Sequence, residues 1–487
     1  MISFNSIPVS LRTPGAYIEF DSSRAVNGVY RVANRVLLIG QRLAAGAVPA
    51  LTPTRIDTVD TAIAAFGRGS MLAQMARALK AADGLSECWA IALDELVGGT
   101  AATSTVTITG PATGAGTLAL MIAGQPVIVS VASGDTATAI ATAIVTAVTA
   151  QRDLPVNAAN VAGVVTLTAR AKGTHGNDID VRANYYTGQK LPAGVTVAVA
   201  AGVAGAGDPD YSTAIALMGD NDYRTVIVGT ASATTLGAVE TELASRWGPT
   251  RMLETFAYAA TRGTQGASAT FGAARNSLLV SIIGTGVSPT PPWEWAASYG
   301  GIVGYYSAID PARPFQTLGM PGILPPAEVD LFTRAQRELL LLDGISTFLA
   351  DRSGNVTIER AITTYQTNAL GIDDVAYLDV NTPLTLALIR QAVRARILLK
   401  FPRHKLADDG TNFGAGQAIV TPKIIRAELI ALMRDLEDLG IVERLDQFIA
   451  DLVVERDGSD RNRINALIPP DIVNQFRVFA GQVQFRL

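Results

Sequence analysis

The sequence predicts a multi-domain α/β protein: a doubly wound α/β core, an inserted mostly-β domain, and an α+β C-terminal domain with extended terminal arms. Three observations carry this. Short apolar runs alternate with amphipathic stretches before residue 98 and again after residue 207, the βαβ pattern of a parallel sheet. Between them the composition turns abruptly to Ala, Thr, Val and Gly with little charge. Each end of the chain carries a short segment of period-2 alternation, the mark of a half-buried strand.

Arg12-Thr13-Pro14-Gly15 is a turn signal, since Pro pre-sets φ and Gly accepts positive φ. Ala16, Tyr17, Ile18, Glu19 and Phe20 follow as an alternating strand. Val36-Leu37-Leu38-Ile39-Gly40 reads as a buried strand. Ser70 caps a helix running to Ala82, with Met71, Met75, Ala78 and Leu79 on one face, and residues 88–93 form a second strand. Within the inserted region, strands are expected at 105–109, 125–131 and 164–169, and a helix at 137–150. The Ala/Val/Gly exit at 193–207, with Gly202, Gly205 and Gly207, reads as linker.

The α/β alternation then resumes, with helices at 211–218, 236–247 and 268–276 and strands at 225–229, 255–259 and 278–283. Trp293 and Trp295 open a helix ending at 309, where a buried corner is their expected role. The Pro- and Gly-rich residues 310–326 read as a shaped surface loop, because neither a helix interior nor a central strand tolerates so much proline. Val329, Phe332, Ala335, Leu339 and Leu342 line a predicted helix. Thr382-Pro383 opens another, with Leu386, Ile389, Val393 and Ile397 as its apolar face. Thr421-Pro422 opens a third, with Ile425, Leu429, Leu432, Leu436 and Leu439 on one side and Gly440 as its stop. After a strand at 452–455 and an Asp457-Gly458 turn, Val483, Phe485 and Leu487 alternate with Gln484 and Arg486 as a terminal strand. Such a strand needs a sheet edge, from the other terminus of the same chain or from a neighbouring subunit. The resulting division is an arm at 1–24, a discontinuous core at 25–97 and 208–370, an insert at 98–207, and a C-terminal domain at 371–487.

A chain of 487 residues has a length prior of roughly three domains. The net charge of −4 is spread without a basic block, which argues against nucleic acid as a partner. Cys88 is the only cysteine, so no intrachain disulfide forms, as in a protein folding in a reducing compartment. No apolar run reaches membrane-span length and the start has no secretory pattern, so direct membrane insertion is not expected and the cytoplasm is the expected place of folding.

The residues do not assemble into a recognisable active site. His175 lies in a loop of the insert and His404 among cations, and neither spacing suits zinc or a hydrolase triad. Neither a nucleophile elbow nor a P-loop is present. Asp208-Pro209-Asp210 and Asp220-Asn221-Asp222 read as helix-flanking turns, and Cys88 as a core residue. No catalytic, cofactor or metal residue is assigned. The expected class is an assembly protein, with an α/β hydrolase-type enzyme as the rival.

Pro14-Gly15-Ala16-Tyr17-Ile18-Glu19, the segment from Asp310-Pro311-Ala312-Arg313-Pro314 to Pro321-Gly322-Ile323-Leu324, Phe401-Pro402-Arg403-His404-Lys405 and Asn474-Gln475-Phe476-Arg477-Val478 carry a resemblance. The chain resembles contractile tail sheath proteins of bacteriophages, those of Mu-like phages above all. The resemblance implies a homo-oligomeric helical sheath of hexameric rings around a tail tube protein, bounded by baseplate and tail terminator proteins. It implies contraction that drives the tube through the bacterial envelope, and a place in the virion after assembly in the host cytoplasm. The core of such proteins is called subtilisin-like, a statement of fold. A phage-tail-like bacteriocin sheath is the close alternative. On this resemblance, Ala16, Tyr17, Ile18, Glu19 and Phe20 at one end, and Phe476, Val478, Val483 and Phe485 at the other, are expected to be the inter-subunit linking strands. Lys423, Arg426 and Arg434, on the charged face of the third helix, are candidates for facing the tube.

Overall fold

A computed structural model describes residues 12–18, 33–411, 413–414 and 416–486. Its architecture is a mixed α/β fold with several separate sheets. The chain divides into two units, a larger one of Ala33–Ile309 with Phe315–Pro383, and a smaller one containing Asp310–Pro314 and Leu384–Leu487.

The larger unit opens with β1 (Arg35–Gln41), an apolar run buried on both faces as a central parallel strand requires. Next come β2 (Thr54–Arg55), α1 (Val59–Phe66), α2 (Met71–Ala82) and β3 (Glu87–Leu93). The Ser70 hydroxyl accepts from the Ala73 amide and starts α2 where the sequence places it. α1 was not foreseen; its signal is a capping box in which Thr58 and Thr61 satisfy each other's backbone amides.

The insert contributes β4 (Thr103–Thr109), β5 (Gly116–Ile122), β6 (Gln125–Val131), α3 (Ala137–Ala150), β7 (Val156–Val161), β8 (Val164–Ala169), β9 (Val181–Ala183) and β10 (Thr196–Ala201). A 3-10 turn, Thr174–Asp178, lies between β8 and β9. Two sheets, ordered β10-β4-β8-β7 and β6-β5-β9, enclose a core that includes Val106, Leu120, Val129, Ile144 and Leu167. The exit at 193–207 is therefore not simple linker. Thr196–Ala201 pairs along β4, and its Ala residues hid the strand because Ala is depleted in sheets. Gly207 has φ +79, and a Cβ there would lie 2.8 Å from the Gly99 Cα, so glycine lets the entering and leaving strands cross.

The core resumes with α4 (Tyr211–Ala216), β11 (Thr225–Val228), α5 (Ala233–Trp247), β12 (Phe256–Thr261), α6 (Gln265–Ala273), β13 (Val280–Gly284), α7 (Pro292–Ile309), α8 (Arg334–Leu342), β14 (Thr347–Ala350) and β15 (Val356–Arg360). The six-stranded sheet runs β13-β12-β11-β1-β3-β2, parallel throughout except for the antiparallel edge β2. α7 is buried from Pro292 to Gly304 and packs against α2, β11 and β12. Trp293 donates to Gln74 Oε1 (2.8 Å) and Trp295 to Ser288 Oγ (2.9 Å), so both tryptophans are core residues. The 310–326 segment is less superficial than its composition suggests. Phe315, Met320 and Ile323 are buried, and the backbone of 317–320 bonds along β15.

The helix expected across 329–342 begins only at Arg334. A capping box of Thr333 and Gln336 sets its start, and Val329 (91% exposed) and Leu342 (67% exposed) lie outside the core, which receives Leu340. Local capping here overrides the apolar spacing.

α9 (Asn381–Lys400) spans the boundary between the units. The smaller unit then holds β16 (Lys405–Leu406), β17 (Ile419–Val420), α10 (Pro422–Asp438), β18 (Val442–Glu443), α11 (Leu445–Asp451), β19 (Val453–Arg456), β20 (Ile464–Leu467) and β21 (Asp471–Ile472). Its core joins Leu388 and Ala392 of α9, Leu429, Leu432 and Leu436 of α10, and Phe448 of α11. The predicted stripe of α10 is buried as far as Leu436, whereas Leu439 is the half-exposed C-cap residue.

The close approach of α7 to the sheet yields a test. A Cβ on Gly300 would lie 2.9 Å from both Ile227 Cγ1 and Tyr258 Cβ, whereas one on Gly237 of α5 would meet nothing within 4 Å. Gly237→Ala should stabilise the protein by up to about 1 kcal/mol through helix propensity. Gly300→Ala should instead cost about 1–3 kcal/mol through overpacking. Urea unfolding of the two variants reads the sign, and a stabilised Gly300→Ala would contradict the packing described.

Candidate assembly surfaces

A catalytic centre would lie among buried polar groups. His175 sits in the 3-10 turn, 6% exposed, with its ring edge-to-face with Trp293 and no hydrogen-bond partner for Nδ1. Burial lowers its pKa to about 4. Glu294 on α7 is also buried; burial pushes its carboxyl up to about 7, with Arg77 3.9 Å away. Cys88 is buried in β3, and desolvation raises its thiol to about 12, the opposite of an activated nucleophile. His404 is exposed on the smaller unit. Among the described residues no group of three His, Cys, Asp or Glu is placed to hold a metal.

The acidic turns have structural partners. Asp208 accepts from the Thr174 amide and hydroxyl, and Asp210 caps α4 through the Ser212 amide. The fully buried Arg246 donates to Thr255 Oγ1 and to the carbonyls of Gly219 and Asn221, while Arg251 pairs with Asp220. The 219–222 turn is tied down by arginines that the sequence order does not place beside it.

Similar polar bonds fasten the insert to the core of its own unit. Arg182 and Arg262 share Asp180, and Arg182 also donates to the Val287 carbonyl. Gln74 donates to the Asp153 carbonyl, Arg68 pairs with Asp153, and Tyr185 donates to the Pro325 carbonyl.

The termini look different. Among the described residues Ala16, Tyr17 and Ile18 join no ladder; Ile18 is 84% exposed, and the Tyr17 hydroxyl donates to the Thr13 carbonyl. Glu19 and Phe20 lie outside the described residues. At the other end, β21 pairs with β18, the Val473 amide donates to the Ile441 carbonyl, and Gln475 donates to the Ala312 carbonyl. Beyond these anchors, residues 474–486 carry no strand among the described residues. Phe476, Val478, Val483 and Phe485 are 73–89% exposed. Alternation without a sheet edge cannot form a strand, since backbone pairing needs a second chain segment. Pairing of the two arms with each other is not seen among the described residues.

In the smaller unit, the 401–410 motif holds its neighbours. Asp408 pairs with Arg456 and Arg461, joining the motif to the β19–β20 hairpin. Asp409 accepts from the Lys423 amide at the start of α10, a cap that Thr421 does not supply. On α10, Lys423 and Arg434 are exposed, whereas the half-buried Arg426 donates to the Ile449 carbonyl of α11. The helix is bound to α9 by Arg396 with Asp435 and by Lys400 with Glu428.

The buried pair His175 and Glu294 predicts opposite pH behaviour. His175 has a folded pKa below its unfolded value, so its contribution is present above about 6.5 and is lost as pH falls toward about 4, by roughly 3 kcal/mol. Glu294 has a folded pKa above its unfolded value, so it costs stability as pH rises from about 4.5 through 7. His175→Gln should therefore remove stability loss between pH 6.5 and 4, and Glu294→Gln should stabilise at pH 8 but not at pH 4.5. Chemical unfolding across that range checks both; parallel curves for variants and parent would refute the assignment.

Comparison with known proteins completes the picture. The description "phage tail sheath protein central domain" matches residues 204–364, and "phage tail sheath C-terminal domain" matches residues 373–486. The Mu-like prophage FluMu tail sheath protein of Haemophilus influenzae is 43% identical over 486 residues, covering 100% of each chain. Among solved structures, the sheath tail protein of Desulfitobacterium hafniense aligns at 16% identity with a TM-score of 0.48, covering 94% of this chain and 100% of that one. The anti-feeding prophage helical sheath in its contracted state aligns at 12% identity with a TM-score of 0.47, covering 98% and 99%.

Proposed function

The chain belongs to the phage tail sheath family, and on that premise we propose that it polymerises as helical stacked rings around a tail tube and contracts to drive the tube through a bacterial envelope. Its relatives are structural sheath proteins, in keeping with a non-enzymatic role. The observation that carries the reading is the C-terminal arm: four large apolar side chains, in two alternating pairs along a segment that forms no strand among the described residues, stand in water. Exposure of that kind marks a surface completed by a partner.

In this reading Ala16–Phe20 and the 476–485 segment add as strands to neighbouring subunits. Backbone hydrogen bonds then link the subunits while their bodies shift. Head-to-tail contacts between identical chains generate an open helix. The six-stranded sheet with its helices is the doubly wound, subtilisin-like core, the 98–207 region an outer insert, and residues from 371 onward the inner, tube-side domain. Lys423 and Arg434 on α10 are the tube-facing cations; Arg426 is engaged with α11 and is the weakest of the three. Tube, baseplate and terminator proteins are the partners, and the assembled product belongs to the virion or to a related contractile particle. Contraction needs no nucleotide if the extended lattice is kinetically trapped and the contracted one buries more surface.

Deleting residues after Arg477 keeps β21 on β18 and the Gln475 bond to Ala312, and should leave the unfolding temperature unchanged. Electron microscopy of the full chain, supplied with tube protein, should show tubes that this truncation and an N-terminal arm truncation both lose. Normal tubes from both would overturn the linking role. Charge reversal at Lys423 should lower tube-dependent assembly at least several-fold.

A further inference from the structure

The insert contains an unguarded sheet edge. Among the described residues β10 is bonded to β4 alone, and from the Gly202 amide bond to the Thr103 carbonyl, strand parity turns the backbone groups of Val197, Val199 and Ala201 outward. Sheet edges are ordinarily protected by charges, proline or a covering element. β10, Thr-Val-Ala-Val-Ala-Ala, has no charge and no proline, and five of its six residues are exposed. The opposite edge, β7, reads Val-Asn-Ala-Ala-Asn-Val and is equally neutral.

The rows across this sheet are as bare as its edges. Ala200 pairs with Thr105, Thr105 with Thr166, and Thr166 with Ala159, so one uncharged outer row reaches from edge to edge. The other face is the core side, where Val106 and Val165 are fully buried. Direction alternates at every step from β10 to β7, because all three pairings are antiparallel. With four strands, a second copy displaced along the sheet without reversal presents its β7 antiparallel to β10. The ladder, the neutral surface and the inner-outer register all continue. A β10–β10 contact would require copies facing opposite ways, which a head-to-tail polymer does not contain.

We propose that the β10 edge, Thr196–Ala201, pairs with the β7 edge, Val156–Val161, of a neighbouring copy of this chain, running a continuous sheet through successive inserts. The inference rests on the sheath reading, because one ladder of six residues at most is far smaller than the roughly 1,200 Å² of a stable free-standing interface. It holds only where other contacts already align the copies. Residues 98–203 lie outside both matched family segments, so this is a lateral contact additional to the arms.

Cysteines at Ala200 and Ala159, ends of one row, read the contact directly. Cys88 is buried, so the introduced thiols oxidise selectively. In assembled sheaths of the full chain, A159C/A200C should give a ladder of disulfide-linked oligomers on denaturing gels, and either single variant should not. Asn157→Cys and Val161→Cys, paired with A200C, cover a two-residue shift of register. In parallel, A159K/A200K should reduce sheath yield at least tenfold with an unchanged unfolding temperature, and A159E/A200K should restore it. Wild-type sheaths that form while all three cysteine pairs stay monomeric, in extended and contracted forms alike, would overturn the β10–β7 contact. Failure of the wild-type chain to build sheaths with its tube would overturn the underlying function instead.

Discussion

The larger unit depends on how closely α7 lies against the parallel sheet. From Pro292 to Gly304 the helix has no solvent face, so every polar group it brings inside must be met there. Gly300 and Gly304 bring its backbone against Ile227, Tyr258 and Thr225. The Tyr299 hydroxyl joins Ser281 and Ser346 in a buried network that also reaches the Ile362 carbonyl. This network fixes the segments flanking the β14–β15 hairpin to the β13 edge, and Trp293, on the same helix, meets His175 of the insert. One buried helix thus sets the position of the sheet, of the hairpin and of the insert's base.

The same burial explains why titratable groups here do not amount to an active site. His175 and Glu294 are both pushed toward neutrality by desolvation. Perturbed groups signal function when they converge on a cleft with a reactive partner. These lie instead in packed contacts, one against an indole edge and the other behind Arg77. Their energetic meaning is stability against pH, a property of a joint.

Legibility in the sequence follows the same physics. β1, β3, β11 and β13 stood out because parallel strands buried on two faces need unbroken apolar runs. α2 was visible through its Ser70 cap, and α3 was placed at 137–150 without its Thr136 cap being noticed. β10 was hidden by its alanines, and the start of α8 by an apolar stripe that capping overrode. The partners of Arg246 and Asp180 were beyond reach, since side chains far apart in sequence meet only after folding. The alternating pattern of the arms was legible, but no pairing partner for them could be read from the sequence, and among the described residues none pairs with them.

Edges separate what this protein finishes alone from what it leaves open. At β13, Ser346 and Thr364 bond to the outer backbone at Ile282 and Val280, so the large sheet cannot extend there. Among the described residues the β10 edge has no such cover and no charge, and the β19–β20 hairpin is a separate two-stranded sheet. An uncovered, uncharged edge exposes a soluble chain to indiscriminate pairing. Such edges persist safely when each is short, so that a single pairing is weak and only many aligned pairings hold. A lattice supplies that alignment and an isolated chain does not. The six residues of β10 and the two to four of the C-terminal strands fit this condition. In the proposed sheath, the weakness of each ladder disfavours pairing between free chains and repetition strengthens the assembled structure.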